Sequence, residues 1–552
     1  MLLAWLCVGV LALSGLGHEG WHAGAAPSQT EPHLPLPGRA AQRAWAWALG
    51  LAVLWVAAAL RPVTLPGLDV EVAGTAFDRS MPALSVSAET LGLLFSLLAV
   101  GLCAAVFARA SACGVRALAL AWVVAALIGV AIGWLQYTGH AGPFWPWVNG
   151  APPGVAFGNL RQRNLYASGL AIGLAALLWW ARGAAPARRQ ALVREVALGA
   201  AALALGSGLA LSASRTGLVA LLLMCGLTGL WRLWRERTVA AVLVAAVLGY
   251  AATALLLPWA FPQWAAGGIF SRLADGAPAC SSRVTLWSNV LHLIALRPLG
   301  GWGWGQLDAA HYLTLYPGLR FCDILDNAHN LPLHLAVELG VPFALLFCGA
   351  VVFGVWRAKP WREHDASRQL AWSVLAVIGL HSLLEYPLWY GPFQMAAGAS
   401  LGTLLGTPPA HGASASAGHG GGAVWRFFRI GGALALMAGC AYAAYDYGRV
   451  SQIYLEPAAR NPLFGADALQ AAEHTTVFGD AADFALLTLT PVTEANAAAV
   501  WTLALRLLRY SPEPRVAGAL VDSAVLLGRD DLALWHQQRY EAAFGKRRGN
   551  AE

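Results

Sequence analysis

The chain has 552 residues, of which 58% are hydrophobic and only 12% are charged, and it contains 25 tryptophans. So little charge excludes a soluble globular protein of this length. The net charge of +7 does not indicate a nucleic-acid partner, because the arginines fall in short loops rather than on one basic face. Composition therefore predicts a polytopic membrane protein that binds the lipid bilayer and no nucleic acid.

Apolar segments long enough to cross a bilayer recur along the chain. The first sixteen residues are apolar but short for a span and have no basic flank, which fits an extra helix, an interfacial segment or an overextended start better than a cleaved signal. We expect an all-α fold with about 11–12 transmembrane helices, and the spans predicted after that segment are 43–60, 89–109, 115–137, 165–182, 194–211, 216–234, 238–258, 331–356, 369–386, 391–407 and 425–446.

The connecting loops alternate between arginine-rich and arginine-poor. The arginine-rich loops lie at 109–116, 182–194, 232–237, 357–368 and 408–429. The positive-inside rule places them in the cytoplasm. The other side then receives 61–88, 138–164, 212–215, a large loop at 259–330, 387–390 and everything after about 447.

These features divide the chain into five parts. The N-terminal membrane segment (1–88) is followed by transmembrane helices with arginine motifs (89–258), a large outward loop (259–330) and further spans (331–446). Residues 411–422, rich in Gly, Ser and His, predict a flexible linker. Amphipathic spacing after 447 predicts a helical, tetratricopeptide-like domain over 447–552, for packing or for docking a protein acceptor.

Five polar motifs fall on the predicted outward side. Polar groups where a span meets water cost desolvation energy, so their shared location indicates a functional site. The motifs are FGNLRQRN (157–164) with Arg161, Gln162, Arg163 and Asn164; SASRTG (212–217) with Arg215; CSSRVTLW (280–287) with Arg283; NAHN (327–330) with Asn327, His329 and Asn330; and HSLLEYPLWY (381–390) with Glu385, Tyr386 and Tyr390.

The outward arginines oppose the positive-inside trend, which indicates an anion at that depth. A guanidinium fork matches a pair of phosphate oxygens, so a lipid diphosphate is the expected ligand. Individual arginines could instead reach to lipid headgroups. His329 suits a base for an alcohol nucleophile, or is only a neighbour of a helix cap. No spacing of Asp, Glu and His predicts a metal site.

Other conspicuous residues carry weaker predictions. We expect His334 to be structural and leave His381 open. Asp323 and Asp326 are expected to be solvated. The run GGWGWGQ (300–306) fits either an anchoring re-entrant loop or sugar stacking.

The motifs together resemble a known family. QRNLYASGL (162–170), SRTG, SRVTLW, GWGWGQ, AHNLPLHLAVELG (328–340) and HSLLEYPLWY are similar to the bacterial O-linked protein oligosaccharyltransferases. These are the pilin-glycosylating members of the O-antigen ligase and polymerase superfamily. The resemblance covers roughly 90–450, whereas the residues before about 90 depart from it.

The resemblance implies a metal- and cofactor-independent glycosyltransferase of the bacterial inner membrane, with its active site and C-terminal domain facing the periplasm. Its donor would be a glycan on undecaprenyl diphosphate, and its acceptor a Ser or Thr hydroxyl of a periplasmic protein such as pilin. The family's essential His corresponds to His329, an important Gln to Gln162, and a family Tyr to Tyr386 or Tyr390.

Residue chemistry agrees with this implication. His329 would act as base or orient the acceptor, and Arg215 and Arg283 would neutralise the diphosphate, with Arg163 nearby. The remaining polar residues are expected to bind substrate: Arg161, Gln162, Asn164, Asn327, Asn330, Glu385, Tyr386 and Tyr390.

The motifs leave three alternative functions open, and two cysteines of the outward loop could form a disulfide. The same motifs could serve an O-antigen ligase that uses lipid A core, or an O-antigen polymerase. A transporter would be expected to have broken helices at the bilayer midplane and an internal repeat. Cys280 and Cys322 both lie in the outward loop, where an oxidising periplasm would allow a disulfide that tethers the Arg283 and His329 segments.

Overall fold

The computed structural model describes residues 2–21, 39–63, 65, 88–110, 112–183, 188–274, 278–406, 422–465 and 467–546. Regular secondary structure in these ranges consists of α-helices and short 3-10 helices, which confirms the predicted all-α class. Most of the loop predicted at 61–88, and all but the last residue of the linker predicted at 411–422, lie outside the described residues.

Eight helices precede the large loop, and each span predicted there coincides with one of them. They are α1 Leu2–Trp21, α2 Arg39–Ala59, α3 Ala88–Phe107, α4 Ala112–Tyr137, α5 Arg163–Ala181, α6 Arg188–Leu211, α7 Arg215–Leu230 and α8 Arg237–Ala260. The apolar N-terminal segment is thus a helix. Trp5 and Val8 are buried in a core that also contains Leu102 of α3, so this helix belongs to the bundle.

Short helices fill the large loop, and longer ones follow it. Their bounds are α9 Ile269–Ala274, α10 Arg283–Leu296, α11 Leu307–Leu313, α12 Leu331–Leu339, α13 Val341–Ala358, α14 Ala366–Ser382, α15 Gly391–Gly406 and α16 Gly422–Ser451. The 3-10 helices that adjoin the site are Gly158–Leu160, Ala279–Ser281 and Pro387–Trp389.

The prediction of one continuous span over 331–356 is wrong, because the chain breaks at Gly340 between α12 and α13. Gly340 has φ +95°, and a Cβ there would lie 2.3 Å from the carbonyl oxygen of Leu299. Pro342 at the start of α13 has no N–H to continue the first helix. Only a glycine fits this close approach of two backbones. The span predicted over 369–386 also ends earlier, at Ser382.

Six helices of the described ranges are long and apolar enough to cross a membrane. They are Ala88–Phe107, Ala112–Tyr137, Arg163–Ala181, Gln190–Leu211, Arg237–Ala260 and Val341–Arg362. Together with the helical content, they agree with a polytopic membrane protein.

The arginine-rich loops meet at one end of the bundle. Arg182 donates to Glu236 Oε1 at 3.2 Å and to Gln369 Oε1 at 2.5 Å. Trp231 Nε1 donates to the carbonyl oxygen of Pro360 at 2.8 Å. Loops after α5, α7 and α13 therefore share one end, as the alternation of arginines predicted.

The C-terminal residues form the predicted amphipathic helices. These are α17 Ala468–Glu473, α18 Gly479–Leu489, α19 Ala497–Leu507, α20 Pro514–Leu526 and α21 Asp530–Phe544. Trp501 and Leu520 are buried in the same core as Leu286 and Val290 of α10 and Tyr312 of α11. The C-terminal helices thus pack directly on the large loop that carries Arg283.

Candidate active site

The starts of four helices meet at one end of the bundle. Their N-caps are Gln162 for α5, Ser214 for α7, Ser282 for α10 and Asn330 for α12, each accepting a backbone N–H of its own first turn at 3.0–3.2 Å. The first residues of α5, α7 and α10 are Arg163, Arg215 and Arg283. Since helix N-termini carry partial positive charge, arginines and dipoles both favour an anion here.

Glu385 lies at the centre of this site, in the loop beyond the last residue of α14. Its Oε2 accepts a hydrogen bond from His329 Nδ1 at 2.5 Å, and its Oε1 pairs with Arg283 and accepts from Asn164 Nδ2 at 3.2 Å. The Glu385 side chain is only 4% exposed. Burial alone would raise the pKa of Glu385, but the hydrogen bond and charge of His329 and the charge of Arg283 hold it below its ordinary value.

The backbone places His329 in an unusual conformation. Its φ is +51°, a left-handed value that is costly for a residue with a Cβ. The peptide N–H of His329 donates to Asn327 Oδ1 at 2.9 Å, and Asn330 Nδ2 donates to the carbonyl oxygen of Leu383 at 2.9 Å. The two asparagines expected to bind substrate therefore hold the histidine loop in place.

The imidazole of His329 is oriented for chemistry. Because its Nδ1 is bonded to the Glu385 carboxylate, Nε2 is the ring nitrogen left for a further partner. The ring of Tyr386 contacts the imidazole edge-on with centroids 5.0 Å apart, and Tyr390 stacks on Tyr386 at 6.1 Å. Burial raises the pKa of Tyr386 above its ordinary value. Of the two candidate tyrosines, Tyr386 is the one that touches His329.

A cluster of arginines adjoins Glu385 and His329. Arg272 of α9 donates to the carbonyl oxygen of Ala213 at 3.1 Å, next to Ser214 and Arg215. Burial and the charge of Arg215 both lower the pKa of Arg272, and the charges of Arg163 and Arg272 also act on each other. Like charges packed this closely repel one another, and a bound anion would relieve that repulsion.

Arg272 is not among the residues that the sequence motifs single out. The signal was present, since Arg272 is an arginine in the predicted outward loop, like Arg283. By contrast, Arg161 is exposed, has φ +58° and donates from Nε to Asn149 Oδ1 at 3.3 Å. The structure thus brings Arg163, Arg215 and Arg283 to the site together with Arg272, and directs Arg161 to the preceding loop.

The Gly-Trp run wraps around the end of α12. Gly303 N donates to the carbonyl oxygen of Glu338 at 2.9 Å, and Gly305 N donates to Glu338 Oε2 at 3.1 Å. His334 is buried with its Nε2 3.4 Å from Glu338 Oε2, and its ring contacts Trp304. These contacts favour the packing interpretation of the run and the structural role expected for His334.

Another histidine and two aspartates that the sequence singled out are also placed by the structure. His381 is fully buried, with its ring edge-on to Phe393 at 6.0 Å. Asp323 and Asp326 are both exposed, as expected, but the charges of Asp326 and His329 interact. In the part of the chain that the structure describes, no three His, Cys, Asp or Glu residues are grouped so that they could hold a metal ion.

A disulfide joins the two segments that carry Arg283 and His329. Cys280 and Cys322, 42 residues apart in sequence, are bonded with their Cα atoms 5.3 Å apart. The peptide N–H of Cys322 also donates to the carbonyl oxygen of Cys280 at 3.3 Å. This is the pairing expected from the sequence.

Three family models match successive parts of the chain. Residues 156–181 match the protein glycosylation ligase family, residues 200–348 match the O-antigen ligase family, and residues 369–551 match the C-terminal part of virulence factor membrane-bound polymerases. The first two matches include Gln162, Arg163, Arg215, Arg283 and His329.

Two curated proteins of Acinetobacter baylyi are similar to part of the chain. A general O-oligosaccharyltransferase is 27% identical over 142 residues, or 25% of this chain and 24% of the relative. A ComP-specific O-oligosaccharyltransferase is 27% identical over 135 residues, or 24% of each protein. The matched segment therefore spans about a quarter of the length of these relatives.

No solved structure matches the chain significantly. The three family matches, the two relatives and the motifs quoted above all point to one superfamily. The chain is similar to the O-antigen ligase family and, within that likeness, to protein O-oligosaccharyltransferases.

Proposed function

We propose that the chain transfers a preassembled oligosaccharide en bloc from undecaprenyl diphosphate to Ser or Thr hydroxyls of periplasmic proteins such as pilins. The observation that carries this proposal is the buried Glu385 carboxylate, which holds His329 and Arg283 together beside the cluster of Arg163, Arg215 and Arg272. A base for an alcohol and cations for a diphosphate thus lie at one end of the bundle.

The acceptor hydroxyl is activated by His329. Its proton moves to Nε2 as the oxygen attacks the anomeric carbon of the donor, and the Glu385 carboxylate stabilises the imidazolium that forms. The oxygen–carbon bond to the acceptor forms while the bond from the anomeric carbon to the phosphate oxygen breaks. The imidazolium loses the proton to solvent after product leaves.

The leaving group is undecaprenyl diphosphate. The electron pair of the broken bond stays on its phosphate oxygen, so the added charge develops where guanidinium groups can neutralise it. Arg163, Arg215 and Arg272 supply that charge, and Arg283 is paired with the same carboxylate that holds His329. Charge neutralisation removes the need for a separate general acid.

The site and the C-terminal helices face the periplasm of the bacterial inner membrane in this proposal. The arginine-rich loops gather at the opposite end of the bundle, around Arg182 and Glu236, and the positive-inside rule puts that end in the cytoplasm. The helices after 447 share a core with α10, which starts at Arg283, and this supports a role in presenting a protein acceptor beside the site.

The five-part division of the chain stays a proposal within this scheme. Residues 89–258 and 331–446 would form the membrane part, 259–330 the loop that carries Arg272 and His329, and 447–552 the acceptor-side domain.

Transfer to lipid A core is the second candidate function, because residues 200–348 match the O-antigen ligase family. A polymerase is kept as the third, because the chain's last part matches a polymerase family.

Reconstitution distinguishes these candidates. The purified full chain would be placed in liposomes with undecaprenyl-diphosphate oligosaccharide and offered pilin or lipid A core in separate reactions. We expect glycan on the pilin alone and none with His329→Ala. Product on lipid A core alone would make the chain a ligase, elongated lipid-linked glycan would make it a polymerase, and an active His329→Ala variant would reject the proposed base.

A further inference from the structure

A chain of hydrogen bonds leads from the start of α7 to Glu385. Ser214 Oγ donates to Asn164 Oδ1 at 2.6 Å, and Asn164 Nδ2 donates to Glu385 Oε1 at 3.2 Å. Glu385 Oε2 in turn accepts from His329 Nδ1. Four segments distant in sequence are thus linked through one carboxylate.

Ser214 fixes the donor-to-acceptor direction of this series of hydrogen bonds. Its oxygen already accepts from Gly217 N at 3.0 Å, so its single proton is directed at Asn164 Oδ1. Ser214 is 1% exposed, which leaves little room for water to replace it. With the amide oxygen engaged by Ser214, the amide NH₂ of Asn164 is the end that faces Glu385. A flipped amide would set its oxygen against the carboxylate.

The hydrogen bond from Asn164 determines which partners each of the two carboxylate oxygens of Glu385 has. The Arg283 side chain is 38% exposed and could draw the carboxylate toward itself as a bidentate pair. The hydrogen bond from Asn164 opposes that rotation and keeps Oε2 on His329.

We propose that Ser214 and Asn164 are positioning residues: Ser214 orients the Asn164 amide, which holds Glu385 in the rotamer that orients His329. This inference rests on the proposed function and gives Asn164 a different role from the substrate contact expected from its motif. Neither residue needs to touch a reacting atom.

Exchanging the amide for a carboxyl tests the required donor. In Asn164→Asp, a protonated carboxyl can still donate to Glu385, but the ionised form places two carboxylates side by side and turns Glu385 away from His329. Two carboxylates that share a site hold one proton more tightly than either would alone, so the pair ionises completely only at higher pH. The variant should therefore retain activity at low pH and lose it as the pH rises.

The other titratable groups near Glu385 are unchanged in this variant. Those whose charges interact with Glu385 are His329, Arg283, His381, Tyr386 and Tyr390, and Asp326 interacts in turn with His329 and both tyrosines. Asn159→Asp is the matched control, because Asn159 is exposed and lies in the 3-10 helix Gly158–Leu160, five residues before Asn164. The ratio of kcat at pH 8 to kcat at pH 5.5 should fall at least ~10-fold in Asn164→Asp relative to wild type, and should not change in Asn159→Asp.

The hydroxyl of Ser214 is tested separately, because Ser214 also caps α7. Ser214→Ala should lower kcat by roughly 10-fold with little change in KM, and Ser214→Thr, which keeps the hydroxyl, should restore it. Asp365→Ala removes a comparable cap from α14 at the opposite end of the bundle, where Asp365 accepts from Arg368 N. It should lower the melting temperature without lowering kcat.

All variants are assayed as full chains in liposomes with undecaprenyl-diphosphate oligosaccharide and pilin, alongside His329→Ala. An unchanged pH profile for Asn164→Asp, or its inactivity at every pH while folded, would overturn the inference. An equal loss of kcat in Asp365→Ala and Ser214→Ala would do the same. If wild type leaves pilin unglycosylated, the proposed function fails, and if His329→Ala is active, the proposed base fails, so both failures are distinguishable from failure of this inference.

Discussion

Replacing Glu385 with glutamine removes the negative charge from the centre of the site and keeps the shape of the side chain. The wild-type carboxylate accepts from His329 Nδ1 at 2.5 Å and is paired with Arg283 and Asn164 through its other oxygen. The side-chain carbonyl of a glutamine can accept from Arg283 and Asn164, but its NH₂ group then faces His329. The imidazole would lose the carboxylate that stabilises its protonated form.

The expected loss follows from the burial of this pair. The side chains of Glu385 and His329 are 4% and 19% exposed, so water compensates little for the missing charge. Loss of a carboxylate that orients a catalytic histidine typically costs several orders of magnitude, and we expect kcat to fall ~10³-fold, or ~4 kcal/mol of barrier. Because Arg283 is 38% exposed and can be rehydrated, the free energy of unfolding should fall by only about 1 kcal/mol.

The same variant has a pH signature in stability. The pKa of Glu385 is lowered in the folded protein because the interactions with His329 and Arg283 outweigh burial. Its stabilising contribution is therefore present above the ordinary Glu pKa of about 4.3 and is lost as the pH falls through the lower folded value. Wild type should lose this increment on acidification, and Glu385→Gln should not.

The assay measures kcat for glycan transfer to pilin in liposomes, with melting curves on the same preparations between pH 3 and pH 7. Glu385→Asp is the matched control, because it keeps the negative charge on a side chain that is too short to hold His329 and Arg283 together. We expect Glu385→Asp to be impaired as well. A Glu385→Gln variant that transfers glycan within threefold of wild type would refute the role assigned to this carboxylate.

Three further changes test the frame around the site. The variants Cys280→Ser and Cys322→Ser remove the disulfide that closes a loop of 42 residues, so the free energy for opening that loop, measured by hydrogen exchange, should fall by about 4 kcal/mol. Equal protection in these variants and in wild type would contradict this. Gly301→Ala sets a Cβ 2.3 Å from the carbonyl oxygen of Glu338 at φ +67°, so we expect a loss of about 2–3 kcal/mol in thermal unfolding, and a neutral melting curve would be inconsistent with the tight turn. Asp446→Asn weakens a fully buried carboxylate that accepts three hydrogen bonds from 475–477, so limited proteolysis should release the C-terminal helices sooner than in wild type; unchanged cleavage would count against this tether.

The helices of this protein were largely predictable, because long apolar runs and alternating arginine-rich loops constrain a membrane chain strongly. The break at Gly340 was not predicted, since the residues on both sides are equally apolar. Gly340 and Pro342 were visible in the sequence, but the need for glycine comes from the approach of the Leu299 carbonyl, which is a tertiary contact.

The sequence indicated which motifs would come together better than it indicated which of their side chains would pair. Polar motifs at helix starts indicated where Arg163, Arg215 and His329 would meet, but no local pattern tells which groups bond to each other. Glu385 was expected to hold substrate, and the structure instead pairs it with His329, 56 positions away, and with Arg283, 102 positions away. Such partners are chosen by how the bundle packs.

The most direct test is a structure of the full chain in lipid nanodiscs with undecaprenyl diphosphate bound. We predict that the diphosphate lies against Arg163, Arg215 and Arg272, with its scissile side toward His329. A diphosphate bound at the opposite end of the bundle, near Arg182 and Arg368, would contradict the account.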